Sequence, residues 1–486
     1  MFTILHLSDL HRSPDEPVDN VSLLASLVND LDRARRETPP CPPPDAIIVS
    51  GDIIQGARIA QKGWATAVRE QYDVAEAFLG SLADTFLDGD RSRLILIPGN
   101  HDVCWNTAFE AMEEVHYDPA NQTIRSQLNS PESTYRWDWS KLKLYRIQDL
   151  KRYDQRLGAY WSFVERFYAG ANLAHSIDPN RGYQLFELNE GRIVVAAFDS
   201  THQNDCYAYA GAFSPSAAGS AFLKLRDLTR SADLKIAVWH HSVQGPPNSN
   251  DYMDVGQVHA LVGHGFQLGL HGHQHIAAEA AYYVHRAEAQ KMAVISAGSL
   301  CAGSRELPRG VNRQYNVIVV DDDHASARLH VREMGEGAHF ASKRSGAFLE
   351  GFIRVDWQPP LDLAGRPVDV AEDSERRAVD EAENALNSGD PLGALRVLET
   401  VALLPASYAR ALALRAAVAL DDHDAVARII DSPASVTEAV QLVSSFERLG
   451  RLPEALLLLE NLPDIDISTK RALQDRIEIK LRIKTT

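Results

Sequence analysis

Five short polar blocks, most of them set at the end of an apolar run, constrain this chain more than any other feature. They are Asp9-Leu10-His11, Gly51-Asp52, Gly99-Asn100-His101-Asp102, His240-His241 and Gly272-His273-Gln274-His275, and four of them follow directly on such a run. The runs cover Phe2–Leu7, Ala46–Val49, Leu94–Ile97, Ile236–Trp239 and Gln267–Leu270. Helical spacing lies between the first three, around Val21–Arg35 and Trp64–Leu87. Short apolar runs bounded by turn residues and separated by helices predict buried strands in a layered α/β fold. Loops at the ends of such strands converge on one edge, where ligands are bound.

From about 105 to 185 the rhythm breaks into a long, polar and aromatic segment containing Trp105, Trp137, Trp139, Tyr145, Tyr153, Tyr160, Trp161, Phe163 and Phe167. It is read as a mostly helical insertion. Strand-like runs return at Ile193–Phe198, Ala293–Ser296 and Asn316–Val320, and the last, with Ala327–Val331 across a polar turn at Asp321–Asp323, predicts a closing hairpin. Pro359, Pro360 and Pro367 mark a linker over 356–375, beyond which Ala and Leu recur at helical spacing. The chain is thus divided into a first domain over 1–355 and an all-α domain over 376–486.

Within that tail Ala394-Leu395 and Ala455-Leu456 follow Gly389 and Gly450, and Leu398-Glu399 matches Leu459-Glu460. A middle copy centres on Ala425, with Ile429 at the Leu398 position. A recurrence of about thirty residues resembles a short tetratricopeptide-like solenoid, for which about 34 is usual. The competing interpretation is an irregular helical bundle.

Composition excludes several classes. The net charge is −17, with 34 basic and 44 acidic residues in the first 360 and 15 and 22 in the rest. Neither part carries the overall positive field that steers proteins to nucleic acid. No apolar run reaches a membrane-spanning length, and the opening MFTILHLSDLH is not a secretory signal. Cys41, Cys104, Cys206 and Cys301 form no CxxC pair, which argues against a zinc knuckle or a disulfide framework. A cytoplasmic protein with no membrane partner is the expectation.

The polar blocks supply carboxylate, amide oxygen and imidazole donors and no thiolate, a set suited to Mn²⁺, Fe or Zn²⁺. A lone Gly-Asp or His-x-His is ordinarily a turn or a core histidine; five blocks in order at strand ends point to a metal site. The glycines at 51, 99 and 272 are expected to let the backbone turn where a ligand points inward.

The series D-x-H, G-D, G-N-H-D, H and G-H-x-H resembles that of the calcineurin-like metallophosphoesterases, over roughly residues 1–335. The resemblance implies a four-layer α/β/β/α sandwich with two divalent metals, Mn²⁺ favoured over Fe²⁺/Fe³⁺ or Zn²⁺. By motif, Asp9, His11, Asp52 and His275 hold one ion, and Asp52 as a bridge, Asn100, His240 and His273 hold the other. His101 is the non-ligand histidine that serves the leaving group, with Asp102 orienting it. The fourth block is often H-x-P in relatives and here reads His240-His241-Ser242, so either histidine can be aligned with the ligand. His240 is preferred, leaving His241 as a substrate contact; Arg313 is a candidate phosphate clamp. His271 is expected to pack beside the site, and Ala297-Gly298-Ser299 to line the cleft.

The block G-N-H-D is similar to the cyclic-nucleotide phosphodiesterase and repair-nuclease branches. The expected function is therefore hydrolysis of a nucleotide-like or other small phosphodiester. The alternatives are a DNA nuclease of the double-strand-break repair type, with nucleic acid not favoured, and a phosphoesterase recruited by a protein partner through its C-terminal helices.

Overall fold

The structure is a computed structural model that describes residues 1–357 apart from 16–17, most of 118–132, 227–231, 244–250, 285–289, 304–306, 309 and 336–338. It also describes 378–485 apart from 380, 383–384, 387–389, 400, 402, 404–407, 434–435 and 461–466. The chain forms two compact units, the first from Met1–Val284 and Ala289–Pro359, the second mainly from Pro360–Thr486.

The first unit opens with β1 (Phe2–Leu7), β2 (Ala46–Val49) and β3 (Leu94–Leu96), all buried along their length and paired in parallel. Parallel strands need crossovers, and two helices supply them: α1 (Asn20–Ala34) and α2 (Trp64–Phe86). Asp19 starts α1 by accepting the Ser22 amide at 2.9 Å. Leu23, Leu27, Leu31 and Ala34 then form its buried stripe. Asp30 lies on the same stripe, where its carboxylate meets a buried arginine described below.

The segment from 105 onward differs from the expected helical insertion. Short helices do occur at Trp105–Glu110, Leu150–Tyr153 and Gly158–Phe167. Between the first two stands an antiparallel three-stranded sheet of β4 (Met112–Val115), β5 (Tyr135–Asp138) and β6 (Lys143–Ile147), in the order β4-β6-β5. The signal for it was a turn: Asp138 Oδ1 accepts the Ser140 and Lys141 amides, and Leu142 takes a positive φ of 54°. The aromatic residues on either side then pack as rings, Trp137 against Trp139 at 6.1 Å and Tyr145 stacked on Tyr207 of a later loop at 5.3 Å. The insertion also ends earlier than expected, because Tyr183 already begins a strand of the second sheet.

That sheet contains β7 (Tyr183–Leu188), β8 (Ile193–Phe198), β9 (Leu234–Val238), β10 (Leu268–His271), β11 (Ala278–Val284) and β12 (Gln290–Ser296), in the order β11-β12-β10-β9-β8-β7. Its four middle strands are parallel, with β7 and β11 antiparallel at the edges. The expected closing hairpin is β13 (Gln314–Val320) and β14 (Ser326–Met334), which returns to the first sheet with β13 antiparallel to β1. β15 (Phe340–Ser342) and β16 (Ile353–Asp356) both pair with β14. Leu5, Val49, Ile236, Val238, Leu268 and Leu270 belong to one core, so the two sheets share it. A second core places Trp239, Ala237 and Val294 against Val258, Leu261 and Val262 of the helix Val255–Gly263.

Arg332 on β14 is buried and donates to both carboxylate oxygens of Asp30 at 2.8 and 2.7 Å and to Glu37 at 2.8 Å. Tyr315 OH donates to the same Asp30 at 2.6 Å. These bonds tie α1 to the closing hairpin across the core.

The second unit is helical. Among the described residues its helices include Pro391–Leu398, Tyr408–Ala419, His423–Ile429, Val436–Arg448, Leu452–Glu460 and Ile467–Thr485, each in contact with the next. The recurring residues Ala394, Ala425 and Ala455 are all buried, and so are Leu398 and Leu459. Asp390 and Asp422 cap the first and third helices by accepting the Gly393 and Ala425 amides. Gly389 and the linker prolines Pro359, Pro360 and Pro367 lie outside the described residues. Among the described residues no helix is long and apolar enough to cross a membrane.

Candidate metal centre

All five polar blocks sit just past the C-terminal ends of parallel strands, three from the first sheet and two from the second. Backbone bonds lace these ends together: Asp9 N to Gly51 O, His11 N to Asp52 O, and Gly272 N to His240 O at 3.1, 2.9 and 3.1 Å. Ser299 Oγ adds a bond to the Asp9 carbonyl at 2.7 Å, which ties the buried Ala297-Gly298-Ser299 to the first loop.

The backbone pays locally for this convergence. Asp9, His11, Asp52, His273 and His275 have positive φ values of 51°, 44°, 51°, 77° and 59°. Such conformations cost about 1–3 kcal/mol each, and Asp and His are among the residues that tolerate them best. The expected turning role of the motif glycines is therefore corrected. Only Gly51 has a positive φ, of 94°. Gly99 and Gly272 are needed for space: a Cβ on Gly99 would stand 2.2 Å from Asp52 Oδ1, and one on Gly272 would stand 1.7 Å from Ser8 Oγ.

The side chains gather in two overlapping groups. In the first, His275 Nε2 is 3.3 Å from Asp9 Oδ1 and 3.3 Å from His11 Nε2. In the second, Asn100 Oδ1 is 3.0 Å from both His240 Nε2 and His273 Nδ1. Asp52 lies between them, its Oδ2 3.3 Å from His240 Nε2 and 3.9 Å from His11 Nε2. Potential ligand atoms of Asp9, His11 and His275, and of Asp9, Asp52 and His240, lie within 4.8 Å of one another. So do those of His11, Asp52 and His101, so proximity alone also admits His101 to the cluster. Asp9 Oδ1 is buried without a hydrogen-bond donor, and two imidazole nitrogens face each other across 3.3 Å. Donor atoms of carboxylate, amide and imidazole crowded around common points fit a divalent cation.

Burial and charge act against each other here. Burial raises the Asp9 and Asp52 carboxyls, but His275 beside Asp9 and His240 beside Asp52 outweigh it, so both stay well below the usual carboxylate range. Burial, with His101 adding to it, pushes His11 down to about 3. His240 goes the other way: burial lowers it, yet the Asp52 carboxylate takes it up to about 9. Its ring is fixed by an Nδ1 bond to the Ser50 carbonyl at 2.8 Å, which presents Nε2 to the cluster.

His240, not His241, is the histidine turned to Asp52 and Asn100. His241 is buried, with Nδ1 at 2.9 Å from Ser200 Oγ and Nε2 at 3.2 Å from Asn204 Nδ2, and a Cβ on Gly211 would collide with its ring. Both nitrogens being engaged, His241 has no atom left over for a substrate contact. Arg313 directs Nε to the Ala302 carbonyl at 3.1 Å and Nη1 to Met334 Sδ. His271 stacks on Trp239 at 5.7 Å, as its expected packing role requires.

The expected link between Asp102 and His101 is also corrected. Asp102 is buried and accepts from the Ile53 amide, the Gly99 amide and Tyr72 OH at 3.1, 2.8 and 3.0 Å. Its three donors hold the second and third loops together, and the His101 ring is not one of them. Burial and the Asp52 charge push its carboxyl up to about 7. His101 is oriented instead by the Gln55 carbonyl, which accepts its Nδ1 proton at 2.8 Å and leaves Nε2 free. A backbone carbonyl leaves no trace in a sequence, and Tyr72 sits mid-helix among ordinary core residues, so neither partner could be read from spacing.

Residues 2–277 match the family described as calcineurin-like phosphoesterase. The chain belongs to that family. Calcineurin-like phosphoesterases bind two divalent metals, and the clusters described here are candidate ligand groups for them. Similar solved structures include a dimetal phosphatase from Danio rerio, at 11% identity over 74% of this chain and 99% of that one, with a TM-score of 0.37. Others are a 5'-nucleotidase from Candida albicans (14%, 66% and 47%, 0.31) and the calcineurin-like phosphoesterase YfkN from Bacillus subtilis (12%, 70% and 87%, 0.28). Likeness at this level leaves the substrate open. No curated protein matches the chain significantly.

Proposed function

We propose that this calcineurin-like phosphoesterase is a dinuclear, Mn²⁺-favouring phosphodiesterase acting on a nucleotide-like or other small phosphodiester. The observation that carries the dinuclear assignment is Asp52, whose Oδ2 faces His240 at 3.3 Å on one side and His11 at 3.9 Å on the other. Asp9, His11, Asp52 and His275 would hold one ion, and Asp52, Asn100, His240 and His273 the second. Metals so held supply Lewis-acid polarisation of the phosphoryl group and a water of lowered pKa. The chain's own part is to seat the phosphate over the cluster and to offer His101 Nε2 to the leaving oxygen. The four-layer packing of helices on both outer faces of the paired sheets belongs to the same proposal.

The preference for a diester is supported by charge. Arg12, which follows His11 directly, turns its guanidinium to Cys301 Sγ, the Val18 carbonyl and Asn20 Oδ1, and Arg313 is bound to Ala302. With Arg12 buried and turned inward, neutralisation of the phosphate rests mainly on the ions, which suits a singly charged diester better than a dianionic monoester. The helical second unit, whose buried positions recur at Ala394, Ala425 and Ala455, supports a tetratricopeptide-like module that docks a protein partner.

The test is hydrolysis of bis(p-nitrophenyl) phosphate against p-nitrophenyl phosphate by metal-stripped protein with Mn²⁺ restored. Metal-dependent preference for the diester is expected, with DNA and cyclic nucleotides tried next. Preference for the monoester would replace the proposal with a nucleotidase or phosphatase.

A further inference from the structure

We propose that Asp251 is a positioning residue for the metal centre, fixing His273 from behind in a carboxylate–histidine–metal arrangement. Asp251 belongs to none of the five sequence blocks. Near it, Met253 N donates to the Ser242 carbonyl at 2.9 Å, and Asp254 caps the helix Val255–Gly263. Asp251 Oδ2 stands 3.4 Å from His273 Nε2.

His273 needs such a partner. Its Nδ1 is the atom directed at Asn100 Oδ1, at 3.0 Å, so this ring offers the cluster its Nδ1 lone pair only when the proton resides on Nε2. Its backbone is held by a bond from its amide to Asp9 Oδ2 at 3.1 Å, in a left-handed conformation. Those contacts place the Cα, and the ring stands beside those of His240 and His241 at 5.2 and 4.9 Å, with Nε2 turned outward to Asp251. His240 solves the same problem with the Ser50 carbonyl and His101 with the Gln55 carbonyl. Among the described residues Asp251 is the carboxylate recorded on the outer nitrogen of a cluster histidine. A carboxylate there selects the Nε2–H tautomer, stops the ring from rotating and makes Nδ1 a stronger donor. Outer partners of this kind are worth about 10–100-fold in metal affinity.

This role rests on the dinuclear centre proposed above, and Mn²⁺ titration of the full-length, metal-stripped protein by calorimetry separates the two. Wild type is expected to bind two ions. Asp251→Ala should weaken one site by about 10–100-fold and leave the other unchanged. Asp251→Asn, equal in size and still able to accept through Oδ1, should fall between the two at that same site. Two unaltered sites in Asp251→Ala would overturn the role of Asp251, as would equal weakening of both sites, the mark of a general loop defect. Absence of manganese binding by the wild type would instead sink the metal centre, and the role of Asp251 with it.

Discussion

The amide of His101 donates to Asp52 Oδ1 at 2.8 Å, so the histidine nearest the open side of the cluster is joined by its backbone to the carboxylate at its centre. Backbone and ring thus do separate work. His101→Ala keeps the amide and removes only the ring that the Gln55 carbonyl orients. The variant should bind two Mn²⁺ ions as wild type does and lose about 10²–10⁴ in kcat, the usual worth of general acid catalysis. Loss of an ion from His101→Ala, measured by metal analysis after desalting, would show that His101 is itself a ligand, as its place beside His11 and Asp52 permits.

Gly99→Ala tests the closest backbone approach in the site. Its Cβ would stand 2.2 Å from Asp52 Oδ1 and 2.3 Å from Asp52 N, and one of these atoms belongs to a backbone that cannot give way. The central carboxylate must shift, and with it both ions. Metal content should fall below two per chain and phosphodiester hydrolysis by at least tenfold, on the rule that misplacements of about 1 Å cost as much as 10²-fold. Wild-type metal content and kcat in this variant would show that the Asp52 loop relaxes freely.

Much of this site was legible in the sequence because its chemistry is local to strand ends. Asp9, His11, Asp52, Asn100, His240, His273 and His275 each follow a buried strand, and the parallel pairing of those strands brings them to one edge. What could not be read was the set of partners that arrive from elsewhere in the chain. Gln55 acts through its carbonyl, Tyr72 reaches Asp102 from mid-helix, and Asp251 faces His273 from outside every motif block. The same limit explains the insertion. Aromatic density suggested helices, whereas the Asx turn at Asp138 and its positive-φ neighbour Leu142 set up strands, a decision made by a few turn residues. β7 escaped notice because Glu187 breaks an otherwise buried strand near its end.

The raised pKa of His240 makes metal loading proton-linked. In the metal-free protein Asp52 keeps this imidazole protonated up to about 9, whereas His11, at about 3, is already neutral. An ion must therefore displace a proton from His240 at neutral pH and none from His11. Calorimetry in buffers of different ionisation enthalpy should find about one proton released per chain at pH 7.5, and the affinity of the Asn100–His240 site should rise about tenfold per pH unit up to about 9. The sign reverses for the stability of the metal-free fold. A folded pKa above the unfolded value of about 6.5 contributes stability that is complete below 6.5 and lost as pH rises through 9. Metal-stripped protein should melt progressively lower between those limits, and His240→Gln should abolish the proton release and the part of that slope above about 7, where the Asp102 carboxyl is already ionised.

The fold itself depends on a charge placed far from the cluster. Asp30 and Arg332 are both buried, and Asp30 is the acceptor for two Arg332 bonds and for Tyr315 OH. Asp30→Ala leaves the guanidinium with Glu37 alone and the phenol without an acceptor. Removing one member of a buried pair costs about 3–5 kcal/mol, because the remaining charge stays desolvated. Thermal melts should fall by several degrees while the metal stoichiometry of the folded protein stays at two. Replacing the pair together, Asp30→Leu with Arg332→Met, should recover part of the loss, since it withdraws the stranded charge as well. A double variant less stable than Asp30→Ala would show that the ion pair, and not merely the avoidance of an unpaired charge, holds α1 to the closing hairpin.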